Sequence, residues 1–217
     1  MNLNVAIDFL KELSLNNNKP WMDEHRAYYE EAKRIVTDFT AEILAGFAEN
    51  DPAFSLIQPK DCLFRINRDV RFSKDKSPYK TNFGVNLNPF GKKSPKAGYY
   101  IHLADNNSFL GGGIWMPDKE VLKKIRQEID YNWDEFQEII GEKMFKKYFH
   151  FDGEKLKRPP KGYEVDNPAV EYLKFKSFTV LKPLSNNELS SEIIKSESLE
   201  HFNYIHKFIH FLNRTFD

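Results

Sequence analysis

The amino-acid sequence predicts an α+β fold, a single domain in which a mainly antiparallel sheet has helices packed on one face. Two observations lead to this prediction. Hydrophobic residues recur every three or four positions near both ends of the chain, as they do in amphipathic helices. Between about residues 60 and 116 they alternate with polar residues instead, as in strands that have one buried face. A chain of 217 residues with 41% hydrophobic content can bury one sizeable core, and it fits one domain better than two.

The predicted domain spans residues 1–217 and divides into three segments. N-terminal helices cover about residues 3–49, with an apolar stripe that runs from Tyr28 to Phe47. The sheet core covers about residues 60–116, where the hydrophobic period is two. Helices and a closing strand cover about residues 118–217.

Composition limits the cellular setting and the class of partner. The formal net charge is zero and the pI is about 7.0, which argues against a dedicated nucleic-acid-coating protein but leaves room for a local basic patch. The single cysteine, Cys62, excludes an intrachain disulfide and a thiolate metal cluster, and it points to a reducing compartment. No apolar stretch is long enough to cross a bilayer, and no basic region precedes the N-terminal apolar run. We therefore expect a soluble, cytoplasmic protein with no membrane partner.

The segment from Cys62 to Thr81 carries most of the polar chemistry. Between Arg65 and Lys80, six basic residues stand against two acids, so this segment has a formal charge of +4 in a chain that nets zero. Read as a strand, it has an apolar face and a polar face. The apolar face holds Cys62, Phe64, Ile66, Val70 and Phe72, and the polar face holds Arg65, Asn67, Asp69 and Arg71.

The strands predicted after this segment extend the polar face. Three consecutive glycines, Gly111–Gly113, then precede Trp115, and glycine within a strand indicates a bulge, a bend, or the close approach of another backbone or a ligand. The sequence therefore predicts a rigid sheet face that is rich in hydrogen-bond donors. The residues that the later strands add to this face are Asn82, Gly84, Asn86, Tyr100 and His102.

The order of residues within the basic segment is a specific motif. It reads Arg65-x-Asn67-Arg68-Asp69-x-Arg71-Phe72-x-Lys74-Asp75-Lys76-x-Pro78-Tyr79-Lys80. This run resembles the signature of a family of bacterial and fungal proteins known as domain of unknown function 2461. The resemblance implies no activity and no catalytic residue, and Met22 is a small departure from the pattern. It extends over nearly the whole chain, through Asn17, Trp21, Gly112, Gly113, Trp115, Pro117, Arg126, Arg158, Pro159, Gly162, Leu173 and Lys174.

The first functional hypothesis is a pocket for an anionic, phosphorylated small ligand on the polar face. Arginine forks and lysine ammonium groups suit phosphate oxygens, and hydroxyl groups add further donors. No cofactor is evident from the sequence. The residues that we expect to bind the ligand are Arg65, Asn67, Arg68, Arg71, Lys74, Lys76, Tyr79, Lys80, Thr81, Tyr100 and Trp115.

Turnover of such a ligand requires a general base, and His102 is the best candidate because its ordinary pKa lies near neutrality. Asp69, on a nearby predicted strand, is the candidate to orient it. The alternative, which we rank higher, is a histidine satisfied by neighbouring polar groups. The sequence has no phosphate loop, no Gly-x-Ser-x-Gly and no His-Glu-x-x-His motif, so it fixes neither a reaction nor a substrate. His206 and His210 lie four residues apart, but no third ligand is evident, and no metal site is predicted.

Two other hypotheses compete with the pocket. In one, the basic cluster is a salt-bridge network that fastens the segment, and function lies in a protein partner; Asp69 and Asp75 would then neutralise only part of the charge. In the other, basic and aromatic residues bind nucleic acid through phosphates and stacked bases. Arg68 interrupts the alternation and fits an ion pair and a ligand contact equally well. We rank the pocket first, the network second and nucleic acid third.

Overall fold

Five strands form one antiparallel sheet, and helices make up most of the rest of residues 3–217, the part of the chain that this computed structural model describes. The predicted α+β class is confirmed. Neighbouring strands in the sheet follow the chain order except at one edge, where the last two are exchanged. In sheet order the strands are β1 (Phe83–Leu87), β2 (Gly98–Leu103), β3 (Ser108–Ile114), β5 (Phe178–Leu184) and β4 (His150–Asp152).

The helices precede and follow the first three strands, as the period of the sequence predicts. Within residues 3–217, no helix is long and apolar enough to span a membrane. Short 3-10 helices lie at Pro52–Leu56 and Arg214–Phe216. The α-helices are α1 (Asn4–Leu15), α2 (Lys19–Glu24), α3 (Arg26–Ala48), α4 (Pro59–Cys62), α5 (Lys119–Tyr131), α6 (Trp133–Gly141), α7 (Lys143–Tyr148), α8 (Val170–Leu173), α9 (Asn186–Leu189), α10 (Ile194–Tyr204) and α11 (His206–Asn213).

Contacts between residues divide the chain into two compact units. The first unit contains the chain up to Lys92 together with Tyr100–Leu110 and Pro183–Glu200. The second unit contains Lys93–Tyr99, Gly111–Lys182 and His201–Asp217. The basic segment, the N-terminal helices and β1 therefore belong to the first unit.

Phe9 is the centre of an aromatic cluster in the core of the first unit. Its ring centroid lies 5.4 Å from that of Tyr28, 5.7 Å from that of Tyr29 and 6.2 Å from that of Phe83, so α1, α3 and β1 share one core. Burial of one such phenylalanine stabilises the fold by about 1.5–3 kcal/mol. The apolar stripe predicted between Tyr28 and Phe47 is present but rotated slightly. The buried residues of α3 are Tyr29, Ala32, Val36, Phe39, Thr40, Ile43 and Leu44.

The segment from Cys62 to Thr81 is not the strand that its alternation predicts. Cys62 ends α4, and beyond it only isolated bridges form, between Leu63 and Val85 and between Asn67 and Tyr79. The predicted apolar face is correspondingly wrong at two positions, because the Phe72 side chain is 95% exposed and the Phe64 side chain is 39% exposed. Cys62 is buried as predicted, and burial raises the pKa of its thiol to about 11. This stretch is a loop whose backbone groups find side-chain partners.

The strands that follow the loop match their predicted alternation. Phe83, Val85 and Leu87 are buried in β1, and Tyr99, Ile101 and Leu103 are buried in β2. The predicted closing strand is β5. One strand was not predicted: β4, which pairs with β5 so that His150 faces Leu181 and Asp152 faces Thr179. Its three residues are too few to display a period.

The glycines of β3 permit a close backbone approach within the second unit, which is one of the alternatives that the sequence leaves open. Gly113 has φ of +126°, and a Cβ atom there would lie 2.0 Å from the carbonyl oxygen of Phe178. Only glycine avoids that overlap. The structural explanation for this position is therefore sufficient without a ligand.

Replacing Gly113 with alanine tests this approach. We expect Gly113→Ala to lower the free energy of unfolding by about 3 kcal/mol or more, because backbone strain and steric overlap each cost about 1–3 kcal/mol. Gly91→Ala is the matched control, since Gly91 also has a positive φ of 86° but no atom within 4 Å of its Cβ position. The control should lose only about 1 kcal/mol. Equal losses in urea unfolding would contradict the steric explanation.

Candidate functional site

The residues 63–81, here called the basic loop, are fastened at both ends by backbone hydrogen bonds. The Phe64 N–H donates to the Gly84 carbonyl at 2.9 Å, which ties the start of the loop to β1. The Lys80 N–H donates to the Ile66 carbonyl at 2.8 Å, and the Arg68 N–H donates to the Pro78 carbonyl at 2.9 Å. The two ends of the loop therefore lie side by side, and its tip spans the residues between Arg68 and Pro78.

Asn17 holds the C-terminal side of the basic loop with its side-chain amide. Its Oδ1 accepts the Tyr79 N–H at 3.0 Å, and its Nδ2 donates to the Tyr79 carbonyl at 2.9 Å. Both backbone groups of a buried residue are thus satisfied by one side chain, as burial requires. Asn17 is among the positions that carry the family resemblance, and its role in the fold is to dock the loop on the N-terminal helices.

Arg68 is a structural residue at the tip of the basic loop. Its guanidinium donates to the Asp75 carboxylate, to the Ser77 carbonyl at 3.1 Å and to the Ser73 hydroxyl at 3.4 Å. Its side chain is only 25% exposed. Of the two roles that the sequence allows for Arg68, the ion pair is the one that the geometry supports.

Asp75 completes the tip by accepting several hydrogen bonds. Its Oδ1 accepts the Ser77 hydroxyl at 2.7 Å and the Ser77 backbone N–H at 2.9 Å, and its Oδ2 accepts from Arg68. The Ser77 hydroxyl, the Ser77 N–H and then Arg68 together lower the pKa of the Asp75 carboxyl to about 2. The carboxylate is therefore ionised throughout the physiological pH range.

Two further cations of the loop also have protein partners. The guanidinium of Arg71 binds both oxygens of Asp69, with distances of 2.9 Å from Nε to Oδ1 and 2.6 Å from Nη2 to Oδ2. This contact lowers the pKa of the Asp69 carboxyl. The ammonium of Lys76 donates to the Val70 carbonyl at 2.9 Å. Arg68, Arg71 and Lys76 therefore serve first to hold the loop in shape.

The other three cations, Arg65, Lys74 and Lys80, make no ion pair within residues 3–217. Arg65 is exposed, and its guanidinium makes no hydrogen bond in the described chain. Lys80 is half-buried, and its pKa is lowered by burial and by the neighbouring charge of Arg65. Arg65 and Lys80 are thus neighbouring like charges without an ion-pair partner in the described chain, and Asp69, whose carboxylate binds Arg71, is the acid whose charge also acts on Arg65.

The ring of Phe64 contacts Lys80 of this pair and Tyr100 of the sheet. The Lys80 ammonium is 5.6 Å from its ring centroid, and the Lys92 ammonium is 5.8 Å away and donates to the Leu63 carbonyl at 2.7 Å. Both distances are within the range of cation–π attraction. The ring of Phe64 also meets Tyr100 of β2, with centroids 6.4 Å apart. The sequence does not indicate these two residues, because Phe64 falls on the predicted apolar face and Lys92 lies in the connection between β1 and β2.

The adjoining sheet face is occupied by neutral polar and aromatic groups, as the alternation predicts. A Cβ atom at Gly84 would lie only 2.5 Å from the Tyr100 hydroxyl, so glycine at this position leaves the space that the hydroxyl occupies. The Tyr100 hydroxyl oxygen is 3.3 Å from Nδ1 of His102, and the His102 ring stacks on the Phe109 ring with centroids 4.7 Å apart. Burial raises the pKa of Tyr100 to about 12 and lowers the pKa of His102. Both groups are neutral at pH 7.

His102 and Asp69 do not form a catalytic pair in this structure. Both oxygens of Asp69 bind Arg71, and within residues 3–217 Nδ1 of His102 has the Tyr100 hydroxyl as its hydrogen-bond partner. This contact fits the alternative that we rank higher from the sequence, in which a polar neighbour satisfies His102. Its Nε2 makes no hydrogen bond in the described chain.

The remaining predicted ligand residues are dispersed. Asn67 and Thr81 are exposed on the basic loop, and Tyr79 is buried with its backbone held by Asn17. Trp115 is 75% exposed and belongs to the second unit, whereas the basic loop belongs to the first. Nδ1 of His206 forms a hydrogen bond of 2.9 Å with the Tyr99 hydroxyl. In the described part of the chain, no group of three or more acidic, histidine or cysteine side chains could hold a metal.

One amide on β1 has an unmet hydrogen-bond acceptor. Oδ1 of Asn86 is buried and has no partner within residues 3–217. Asn86 follows Gly84 by two residues and so lies on the same face of β1 as the contact with Tyr100. A bound donor would satisfy this oxygen.

Comparison with known proteins identifies one family. Its model, described as conserved hypothetical protein (DUF2461), matches residues 5–211. No curated protein and no solved structure matches the chain. The match covers the basic loop, the N-terminal helices that dock it and every strand of the sheet.

Acid titration of stability tests the role of Asp75. Since the pKa of Asp75 is lowered from 3.8 to about 2 on folding, its ionised form stabilises the protein above about pH 4, and this contribution disappears as the pH falls toward 2. We expect Asp75→Ala to be less stable than wild type at pH 7, with a difference that shrinks through this window. Urea unfolding at a series of pH values measures it. A difference that stays constant down to pH 2 would contradict the assignment.

Proposed function

Because the chain belongs to this family, whose description names no activity, we propose from the geometry that the basic loop binds an anionic, phosphorylated small ligand at Arg65 and Lys80. The observation that carries the proposal is that these two neighbouring cations make no ion pair within residues 3–217, while both acids of the loop make their ion pairs with Arg68 and Arg71. An anion at this point relieves the repulsion between them.

The chemistry of the pair suits a phosphoryl group. A guanidinium presents a planar fork that binds two oxygens, and an ammonium adds a compact point charge. Half-burial of Lys80 strengthens its attraction to an anion, because nearby water is partly excluded. Such a ligand would return the pKa of Lys80 toward its ordinary value. A carboxylate would meet the charge, but it has fewer oxygens to engage both cations.

The face beyond Phe64 supplies neutral groups to the rest of the ligand. Tyr100 remains protonated at all physiological pH values, so its hydroxyl keeps a proton to donate. His102 is neutral and keeps one ring nitrogen without a protein partner in the described chain. These properties support binding. Turnover would require His102 to accept a proton without a carboxylate to orient it. Catalysis by His102 therefore stays a prediction.

A second candidate, binding of single-stranded nucleic acid, is favoured by one observation at the loop tip. The ring of Phe72 is almost fully exposed, and the guanidinium of Arg71 lies 5.8 Å from its centroid. Exposed aromatic rings beside cations stack on bases and contact phosphates. The exposed Lys74 adds charge to the same tip. This candidate ranks second because the chain as a whole is neutral.

A thermal-shift screen distinguishes the two candidates. The probes are inorganic phosphate, pyrophosphate, sugar phosphates, nucleotides and short oligonucleotides, each at low and at moderate salt. A ligand that binds only the folded protein raises the melting temperature by mass action. We expect a phosphorylated small molecule to do so, and Arg65→Ala to weaken its affinity about tenfold or more, which corresponds to loss of one charge-assisted hydrogen bond.

Lys74→Ala is the matched control, because it removes one positive charge from the same loop, and within residues 3–217 the exposed Lys74 makes no ion pair whose acid the substitution would release. It should change small-ligand affinity much less than Arg65→Ala. Equal effects of the two variants would indicate diffuse attraction and overturn the proposed contact. Oligonucleotide binding that falls steeply with salt and is lost in Phe72→Ala would instead establish the second candidate.

A further inference from the structure

A cavity of about 350 Å³ opens in the second unit and shares no residue with the basic loop. That volume lies within the range of sites that hold one small molecule. Five of the ten residues that line it are aromatic, and they come from α6, α7, β4, α8 and the residue between α7 and β4. The aromatic residues are Trp133, Phe145, Phe149, Phe151 and Tyr172.

The aromatic walls are held rigidly by one another. The ring centroid of Tyr172 is 5.2 Å from that of Phe151 and 5.7 Å from that of Trp133, and Phe145 lies 6.3 Å from Phe151. Edge-to-face and tilted pairs at these distances are favourable arrangements for aromatic rings. Walls fixed in this way are formed before a ligand arrives, so binding does not have to order them.

Every polar side chain that lines the cavity can donate a hydrogen bond. These are the indole N–H of Trp133, the amide of Gln137, the ammonium of Lys146 and the hydroxyl of Tyr172. Within residues 3–217 none of the four donor groups has a hydrogen-bond or ion-pair partner. Among the described residues that line the cavity, none is acidic.

Lys146 supplies the positive charge of the site. It stands on α7 beside the last residue of α6, where a Cβ atom at Gly141 would lie 3.9 Å from its ammonium. Glycine at this helix end leaves space next to the ammonium on the side of the cavity. The charge is therefore presented at the edge of an aromatic cavity without a protein counter-ion in the described chain.

We propose that this cavity binds an aromatic monocarboxylate, with its ring between the aromatic walls and its carboxylate on Lys146. A flat ring gains stacking and apolar contact from the walls, and a carboxylate accepts from donors that otherwise lack partners. Aromatic walls alone also suit a quaternary ammonium ion. The ammonium of Lys146 repels such a ligand, and no lining acid offsets that repulsion, so the anion is the occupant that the charge favours.

Isothermal titration calorimetry of the full chain with three matched compounds tests the proposal. The probes are phenylpropanoate, its neutral amide phenylpropanamide, and benzyltrimethylammonium, which share a phenyl ring and differ in charge. We expect phenylpropanoate to bind tightest. Lys146→Met keeps the aliphatic stem and removes the charge, and it should weaken phenylpropanoate binding about tenfold, as expected for loss of a charge-assisted contact. The affinity for phenylpropanamide should hardly change.

Lys147→Met is the control, because Lys147 is the next residue of α7 and its ammonium lies over the ring of Tyr148, which does not line the cavity. It should leave the affinity for all three compounds unchanged. Equal weakening by the two variants would show diffuse attraction and overturn the proposed contact. Tighter binding of benzyltrimethylammonium than of phenylpropanoate would overturn the ligand class, and absence of binding by all three compounds would overturn the site.

Discussion

The amide of Asn17 and the backbone of Tyr79 form the contact on which the position of the basic loop depends. Tyr79 is buried at the end of a loop that lacks strand partners, so its N–H and carbonyl would be unsatisfied without a side chain of the right shape. Leaving a buried backbone group unpaired costs about 1–3 kcal/mol. One amide meets both needs because it has a donor and an acceptor side by side. The loop is thereby joined to a residue that lies between α1 and α2.

The distribution of charge in the loop follows from its few acids. Asp69 and Asp75 bind Arg71 and Arg68, and each acid thereby holds one part of the backbone in shape. Such exposed or half-exposed pairs contribute modestly to stability, but they determine which cations remain without an ion-pair partner in the described chain. The salt-bridge network, which competes with the anion site as a hypothesis from the sequence, is therefore compatible with the proposed site, because the two involve different residues of the same loop. The network engages Arg68 and Arg71, and the proposed ligand would bind Arg65 and Lys80.

The sequence was informative where a local pattern determines structure. Alternation in β1 and β2 predicts which residues are buried, and it also predicts that Tyr100 and His102 share a face with Gly84. The same rule fails from Cys62 to Thr81, because backbone bonds there are isolated and side chains supply the other partners. At the tip, the Asp75 carboxylate accepts the backbone N–H and the hydroxyl of Ser77. The side chain of Asn17, 62 residues away in sequence, bonds the backbone of Tyr79. No local period reveals so distant a contact. Phe72 is exposed for the same reason, since a loop has no alternating faces.

The order imposed on the loop bears on how it would bind. A flexible loop loses conformational entropy when it closes on a ligand, and that loss subtracts from affinity. Here the backbone is already fixed by Asn17 and by the Arg68 network, so Lys80 is held half-buried beside Arg65 before an anion arrives. Holding two like charges together lowers the stability of the unliganded protein. In the proposed function, a bound anion would recover that energy, and the residues that hold the loop would thereby contribute to its affinity.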